Sequence, residues 1–316
     1  MHILITGGAG FLGQRLAKAL LKNPAVTQLT LADIVLPKRP ELNARVNCVQ
    51  VDLSDPQATA ALVSPRMRVV YHLAAVVSSQ AEANFDLGMA VNCGGTRNLL
   101  EAVRHRASGA MFIFASSLAV FGAAAGSELP AVITDKTAVM PQSSYGTQKA
   151  IGELWVNDYS RKGFIDGRVL RLPTVCVRPG KPNAAASSFA SSIIREPLKA
   201  EQAMCPVDPS LALWLASPQV VTANLVHALT ISADSFVIGR TLNLPGITVT
   251  VQEMIEALEA VAGEDVRSHI DYQPNEAISK IVASWPSRFE VASALAMGFA
   301  CDHAFEDIVK AHIAES

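Results

Sequence analysis

The sequence predicts an α/β protein: a parallel sheet wound in both directions with helices on both faces, followed by a smaller mixed lobe. Three observations carry this. Short apolar runs alternate with amphipathic stretches across residues 1–175. The runs are apolar on both sides, as strands are when helices cover both faces of a parallel sheet. The first run passes into a glycine cluster and then a helix, the turn that opens a βαβ unit.

In order, His2–Thr6 reads as the first strand and Phe11–Lys22 as a helix that stops near Asn23-Pro24. Gln28–Ala32 and Val46–Val51 are the second and third strands. Asp55–Val63 is a short helix with a Ser54/Asp55 cap and Pro56 in its first turn. Arg68–Leu73 is a fourth strand, Phe85–Arg106 a long helix, and Ala110–Ala115 a fifth strand. Ser143–Arg161 is a helix and Gly167–Leu172 a sixth strand. Beyond it prolines punctuate shorter elements: a helix over Ser217–Ser232, a strand over Thr241–Leu244, a helix over Val251–Ala262, and a small Ala/Ser tract over 184–192. The expected division is 1–175 as a dinucleotide-binding domain, with about 217–245 returning to it. Residues 176–216 and 246–316 form a substrate lobe.

Composition narrows the function. Of 316 residues half are hydrophobic and 17% charged, enough for a large core and against disorder. Twenty-six basic residues against 28 acidic ones leave a net charge of −2, with no basic field for nucleic acid or anionic lipid. The five cysteines form no CxxC and the seven histidines no HxxxH, so neither a metal site nor a disulfide framework is expected. No apolar run reaches the length of a membrane span, and Met1–Ile5 lacks the basic region of a signal peptide. A cytoplasmic protein with free thiols is the expectation.

The glycine cluster reads Thr6-Gly7-Gly8-Ala9-Gly10-Phe11-Leu12-Gly13. Glycines there allow a sharp strand-to-helix turn, close backbone approach to a pyrophosphate and tight helix–strand packing. The helix after them offers free N–H groups and its positive dipole end to an anion. This is the Rossmann-type arrangement. Asp33, at the end of the second strand, is placed to accept hydrogen bonds from the adenosine ribose and to repel a 2′-phosphate. Its other reading is a turn acid. No arginine adjoins it, which favours NAD over NADP, although Lys38 and Arg39 follow. Asp52-Leu53 follows the third strand, and Asp52 is either an adenine contact or a helix-capping acid. Ala74 and Ala75, after the fourth strand, are small enough for a cofactor to pass.

Tyr145-Gly146-Thr147-Gln148-Lys149 places a phenol and an ammonium on one helix face. An ammonium beside a phenol favours the phenolate, a base able to take a hydroxyl proton. The lysine can also hold the nicotinamide ribose, which puts Tyr145 and Lys149 among the cofactor-binding candidates. The fifth strand ends in Ser116-Ser117, hydroxyls at the same carboxyl edge that serve either a substrate oxygen or a turn.

Cradle, strand-end acid, serines and Tyr/Lys pair occur in the order of a known family. The chain resembles the extended short-chain dehydrogenases/reductases, the NAD-dependent epimerase/dehydratase group, in TGGAGFLG (6–13), DL (52–53), YHLAA (71–75), VNCGGTRNLLEA (91–102), SSLAVFG (116–122) and YGTQK (145–149). The resemblance implies a catalytic hydroxyl at Ser117 rather than Ser116, a base at Tyr145 and its lysine at Lys149. It also matches Asn92 to a family asparagine. Phe121 stands where tyrosine is more usual. Homodimerisation through the helices near 85–106 and 143–161 is implied as well.

The stretch Arg171–Asn183 and the Ala/Ser tract after it resemble those members of the family that oxidise a four-carbon sugar acid at C2. What this implies is D-erythronate plus NAD giving 2-oxo-D-erythronate plus NADH. A sugar acid needs a cation for its carboxylate, and a guanidinium suits it bidentately. Arg178 is the first candidate and Lys181 the second, against a surface role for each. Ser78 and Ser79 are candidates for substrate hydroxyls, or plain loop serines. Two other functions stay open: a nucleotide-sugar 4-epimerase or dehydratase with tightly bound NAD, and a non-catalytic dinucleotide sensor. The sensor has no use for Tyr145, Lys149 and Ser117 together.

Overall fold

A computed structural model describes residues 1–40, 43–123, 126–180, 185–236 and 239–315 of the protein. Its strands are β1 (His2–Thr6), β2 (Gln28–Asp33), β3 (Val46–Gln50), β4 (Met67–His72), β5 (Met111–Ser117), β6 (Asp166–Leu172), β7 (Thr174–Val175), β8 (Ala203–Cys205), β9 (Ala212–Ala216), β10 (Thr241–Asn243), β11 (Ile247–Thr250) and β12 (Ile270–Tyr272). Its helices are α1 (Phe11–Leu21), α2 (Pro56–Leu62), α3 (Ser78–Ala83), α4 (Phe85–Gly88), α5 (Thr96–Arg106), α6 (Ser144–Arg161), α7 (Ser188–Arg195), α8 (Pro218–His227), α9 (Val251–Ala262), α10 (Glu276–Ala283), α11 (Ala292–Ala296) and α12 (Phe305–Glu315).

Seven strands form one parallel sheet in the order β10-β6-β5-β4-β1-β2-β3. The strands are apolar on both faces because both are covered: Ile3, Leu4 and Ile5 are all fully buried. On one face Ile3 and Ile5 pack with Leu16 and Leu20 of α1 and Val221 and Leu225 of α8. On the other, Leu4, Val70 and Phe112 pack with Leu99 and Val103 of α5 and Val156 of α6. Between β1 and β4 the strand order reverses, the point where open α/β sheets hold ligands beyond their carboxyl ends.

The rest of the chain builds two small sheets, β11-β9-β7 and β12-β8. Their own core gathers Phe189 and Ile193 of α7, Leu213 of β9, Met254 and Ile255 of α9, and Ile308 of α12. The segment 217–243 lies against the large sheet through α8 and β10, and Ala294 and Phe299 join that same core.

Local chemistry accounts for several boundaries. The Asp55 carboxylate accepts from the Gln57 and Ala58 amides at the start of α2, with Pro56 at its first position. Three stretches depart from the sequence expectation. Residues 85–106 are not one α-helix: α4 and α5 are joined by a π-helical stretch, Met89–Gly95. There Thr96 Oγ1 donates to the Asn92 carbonyl at 2.6 Å, and the Asn92 side chain is bound to both backbone groups of Val76. The helix expected over 217–232 stops at His227, with Ala228 as its cap. The Ala/Ser tract carries α7, whose residues Phe189–Arg195 are buried. No helix among the described residues is long and apolar enough to cross a membrane.

Candidate active site

A cavity of about 640 Å³ opens along the carboxyl ends of β1, β2, β4 and β5 and runs to the smaller lobe. Gly7, Gly10, Phe11, Leu12, Gly13, Asp33, Asp52, Leu53, Ala74 and Ala75 all line it. The glycine turn leaves no room for side chains. Gly7 has φ +74°, and a Cβ on it would lie 2.7 Å from the Ala74 nitrogen; one on Gly13 would lie 2.2 Å from the Gly7 carbonyl oxygen. Helix α1 starts at Gly10 with no side-chain cap and no acid in its first turn. Its first amides are therefore left for an anion from outside the chain. The Asp33 carboxylate is fixed beside this turn, accepting from Ala9 N at 2.9 Å and Ile34 N at 2.7 Å, with lone pairs left for further donors. Glycine turn, bare helix end and acid are the donor and acceptor set that a dinucleotide requires.

Asp52 is neither of the two things expected of it in full. It lines the cavity, but α2 is capped by Asp55, and Asp52 instead holds a turn by accepting from the amide and hydroxyl of Ser54 at 2.8 and 2.7 Å. His72, buried at the end of β4, bridges Thr6 Oγ1 at 2.7 Å and Thr96 Oγ1 at 2.8 Å. Thr96 spends its hydroxyl proton on Asn92, so it accepts from His72 Nε2, and Nδ1 accepts from Thr6. Burial, with the Lys149 charge second, lowers the imidazole to about 3, which keeps it neutral.

Helix α6 brings Tyr145 and Lys149 into the same cavity as Ser117. Its start is fixed twice: Ser143 Oγ accepts from Gly146 N, and Glu82 of α3 accepts from Ser144 N at 2.8 Å. The Ser117 hydroxyl draws the Tyr145 phenol towards ionisation. Lys149 Nζ donates to the Ala115 carbonyl at 2.8 Å and lies 4.8 Å above the Phe114 ring. Burial brings its pKa down to about 8, with Glu153 pulling the other way. Ser116, the alternative hydroxyl, is turned to Glu153.

One expectation needs correction. The Tyr145 phenol is not driven below its ordinary range by Lys149. Burial pushes it up to about 12, and the groups that pull it back are the Ser117 hydroxyl and the Arg178 guanidinium. The Lys149 ammonium is committed to Ala115, 5.7 Å from the tyrosine ring centre.

The smaller lobe supplies the far wall: Arg178, Ala185, Ser187 and Trp285. Arg178 is no surface arginine. Its amide donates to Ser191 Oγ at 3.0 Å, its Nη2 to Ser187 Oγ at 3.4 Å, and its carbonyl accepts from Arg195 Nη1 at 2.6 Å. Burial, followed by a raising pull from Cys176, a lowering push from Arg195 and a raising pull from Tyr145, sets its pKa below the usual arginine range. Ser78 lines the cavity as the first residue of α3 and accepts from Ala186 N at 2.9 Å, which leaves its own proton to donate. Ser79 is not among the lining residues. Lys181 lies outside the described residues.

Sequence reading missed Ser187 and Trp285, which no motif marks, and the pairing of Glu153 with Arg171. It placed Asn92 through resemblance alone. In the structure Asn92 clamps Val76 to Gln148 of α6 at 2.7 Å, tying the loop after β4 to the Tyr145 helix. Phe121 faces the Arg171 guanidinium, 4.7 Å from its ring centre, and is buried away from the cavity. Together these groups form a proton-transfer set: a phenol held by a hydroxyl, with an ammonium one helical turn away and a guanidinium opposite.

Residues 3–214 match the NAD dependent epimerase/dehydratase family. The chain is 50% identical over 315 residues to a D-erythronate dehydrogenase of Haemophilus influenzae, covering 99% of each protein. It is 48% identical to a D-erythronate dehydrogenase of Cupriavidus necator, covering all of this chain and 99% of the relative. Among solved structures, a nucleoside-diphosphate-sugar epimerase from Agrobacterium tumefaciens superposes with a TM-score of 0.93 at 42% identity, covering 100% of this chain and 94% of the other. A holo L-threonine dehydrogenase from Cupriavidus necator shares the fold, with a TM-score of 0.87 at 24% identity over 100% of this chain and 99% of its own.

Proposed function

This chain belongs to the NAD dependent epimerase/dehydratase family and is an NAD-dependent dehydrogenase, and from that premise we propose that it oxidises the C2 hydroxyl of D-erythronate to give 2-oxo-D-erythronate. One observation carries the choice of substrate. In a 2-hydroxy acid the carboxylate and the reacting hydroxyl sit on adjacent carbons, so the cation and the base that receive them must be neighbours. Arg178 and Tyr145 are close enough to shift each other's protonation. Among the described lining residues, Arg178 and Lys149 are the only cations, a supply suited to one carboxylate rather than a nucleotide diphosphate.

The proposal gives each group a role. Gly7, Gly10, Phe11, Leu12 and Gly13 would hold the NAD pyrophosphate, Asp33 the adenosine ribose, and Asp52 with Leu53 the adenine edge, while Ala74 and Ala75 leave space. When bound, NAD supplies the acceptor for the hydride from C2. Ser117 orients the C2 oxygen and Tyr145, as phenolate, takes its proton. Both Ser117 and Arg178 favour that ionised form. Lys149 sits one turn along α6, positioned by Ala115. Arg178 takes the carboxylate and Ser78 donates to a substrate hydroxyl. Residues 1–175 with 217–245 form the cofactor side in this reading, and 176–216 with 246–316 the substrate side. Assembly as a homodimer across α6 and the α4–α5 segment belongs to the same proposal; it would cover Leu154 and Phe85, which are 66% and 59% exposed.

The test is NADH formation on a panel of four- to six-carbon sugar acids beside UDP-galactose and UDP-glucose. Net NADH from D-erythronate supports the proposal, and NADH from none of the acids refutes it. The second reading, a nucleotide-sugar 4-epimerase or dehydratase, is favoured by the likeness to the Agrobacterium protein. It predicts conversion of a sugar nucleotide with no net NADH.

A further inference from the structure

Three consecutive residues at the end of β5 reach three positions of α6 spaced four apart. The Ala115 carbonyl accepts from Lys149 Nζ, Ser116 Oγ donates to Glu153 Oε1 at 2.5 Å, and the Ser117 hydroxyl draws on the Tyr145 phenol within the same cavity. Positions 145, 149 and 153 form one stripe of the helix. Tyr145 and Lys149 line the cavity, whereas Glu153 lies a turn deeper and does not. Glu153 is 4% exposed and both its oxygens are occupied. Oε1 also accepts from Arg171 Nε at 2.9 Å, and Oε2 from Arg171 Nη2 at 2.7 Å. Arg171 comes from β6, in register with Ser116, and its guanidinium is backed by the Phe121 ring.

We propose that Glu153, clamped by Arg171 and Ser116, is a positioning residue for the reaction: it sets α6 against the end of β5 and supplies the fixed negative charge that holds the Lys149 ammonium in place. The inference rests on the Tyr145/Lys149 reading above. Glu153 touches no reacting atom and acts through Lys149 and through the serine beside Ser116. A bidentate guanidinium–carboxylate pair fixes direction as well as distance, which an aliphatic contact at this depth would not.

The charges facing Lys149 leave this task to Glu153. From β4 comes His72, kept neutral by burial. From β6 comes Arg171, held by Glu153. Across the cavity stands Arg178, a further cation, and on its own helix the phenol of Tyr145. Asp135 faces Arg171 rather than Lys149, accepting from Asn243 N at 2.9 Å. Glu153 is the one group that draws the Lys149 proton inward against burial.

The test compares wild type with Glu153→Gln, Glu153→Asp and the double variant Glu153→Gln/Arg171→Gln. Two readouts are taken: the pH at which Lys149 becomes acylated by acetic anhydride, followed by mass spectrometry without cofactor, and the pH profile of kcat/KM for NADH formation. Glu153→Gln should move the Lys149 midpoint and the alkaline limb down by about one pH unit, tenfold in ionisation. Glu153→Asp should restore both. Should Glu153→Gln fail to fold through its unpaired guanidinium, the double variant lacks that charge and should still show a downward shift, smaller because the opposing guanidinium is lost with the carboxylate. A lowered Tm with unmoved midpoint and limb overturns the proposal, in the single or the double variant. Absence of NADH from wild type on every acid overturns the functional reading instead, and the acylation midpoint still decides this one.

Discussion

Arg178 and Tyr145 are electrostatic partners across the cavity: the guanidinium draws the phenol towards ionisation, and the phenol helps the guanidinium keep its proton. They come from different layers of the molecule, Tyr145 from α6 beside the large sheet and Arg178 from the segment between β7 and α7. The pairing makes the base sensitive to whatever occupies the guanidinium. It also means that chemistry and substrate recognition can be separated by substitution only if each variant is read on more than one parameter.

Tyr145→Phe removes the one oxygen able to take a hydroxyl proton and leaves the ring packed on α6. Turnover should fall at least about a thousandfold, within the range that a lost general base costs. NAD affinity by calorimetry should change less than threefold. Normal turnover would refute the assignment of the base.

Lys149→Met should abolish turnover and stabilise the fold. Burial lowers the Lys149 pKa from 10.5 to about 8, so at neutral pH the native state holds a charge it disfavours. The linked cost is on the order of 3 kcal/mol, before the lost bond to Ala115 is set against it. It is fully present below pH 8 and is relieved as the pH rises towards 10.5. The variant's Tm should exceed that of wild type by a few degrees at pH 7, with the gap narrowing above pH 8. A Tm below wild type at pH 7 would show that the bond to Ala115 outweighs the burial of the charge.

Much of this was legible from spacing. The glycine turn, Asp33, the Ser116-Ser117 pair, Tyr145 and Lys149 stand at strand ends or near a helix start, and a parallel sheet brings all such ends to one edge. The choice of Ser117 and the candidacy of Arg178 rest on the family resemblance. What spacing could not show was the orientation and depth of side chains. Lys149 reads as a neighbour that acidifies Tyr145, yet the groups that draw on the phenol are Ser117 and Arg178, while the ammonium donates to the Ala115 carbonyl. Asp52 is open in the sequence between an adenine contact and a capping acid; the cap is Asp55, in line with the Ser54/Asp55 reading, and Asp52 holds the Ser54 turn. The Ala/Ser tract reads as low complexity because small residues carry little periodic signal. In the structure its Ser187 and Ser191 hold Arg178. Residues 85–106 keep helical periodicity through the π-helical stretch, so the sequence gives no sign of the extra residue per turn.

Asp33→Ser should loosen the preference for NAD. Both carboxylate oxygens are anchored to amides, which fixes the negative charge where an adenosine ribose is expected. Losing a charge-assisted bond should raise the KM for NAD about tenfold or more. Removing the like-charge repulsion should allow NADP turnover. The ratio of kcat/KM values for the two cofactors measures this; an unchanged ratio would place the ribose elsewhere.

Acid should unfold the protein partly through His72. The imidazole titrates near 6.5 in an unfolded chain but is lowered to about 3 when folded. Between those values the unfolded state binds the extra proton, so stability is lost as pH falls from 6.5, by about 1.4 kcal/mol per pH unit for this one group. Urea midpoints from pH 7 to pH 4.5 should therefore fall more steeply for wild type than for His72→Gln. Equal slopes would show that His72 is charged in the native state or that other groups dominate.

Arg178→Met tests the substrate reading where it is most exposed. A guanidinium receiving a carboxylate in a partly buried cavity contributes charge-assisted, bidentate bonding. Removing it should cost about 2–3 kcal/mol of binding, a rise of roughly 30- to 150-fold in the KM for D-erythronate. The KM for NAD should stay within threefold, since the glycine turn and Asp33 lie on other elements. A second effect separates this from simple loss of packing. Burial holds the Tyr145 phenol at about 12 even with the pull of Arg178 included, so without Arg178 the phenol should ionise at still higher pH. The acidic limb of the kcat/KM profile should then shift upward, because more base is needed to form the phenolate. Arg178→Lys should keep part of that limb, since an ammonium still carries charge, but not the bidentate fit, so its KM should stay high. If Arg178→Met raised the KM and left the acidic limb in place, Arg178 would bind substrate without tuning the base. If it left the KM unchanged, the carboxylate would have to sit elsewhere and D-erythronate would lose its structural support.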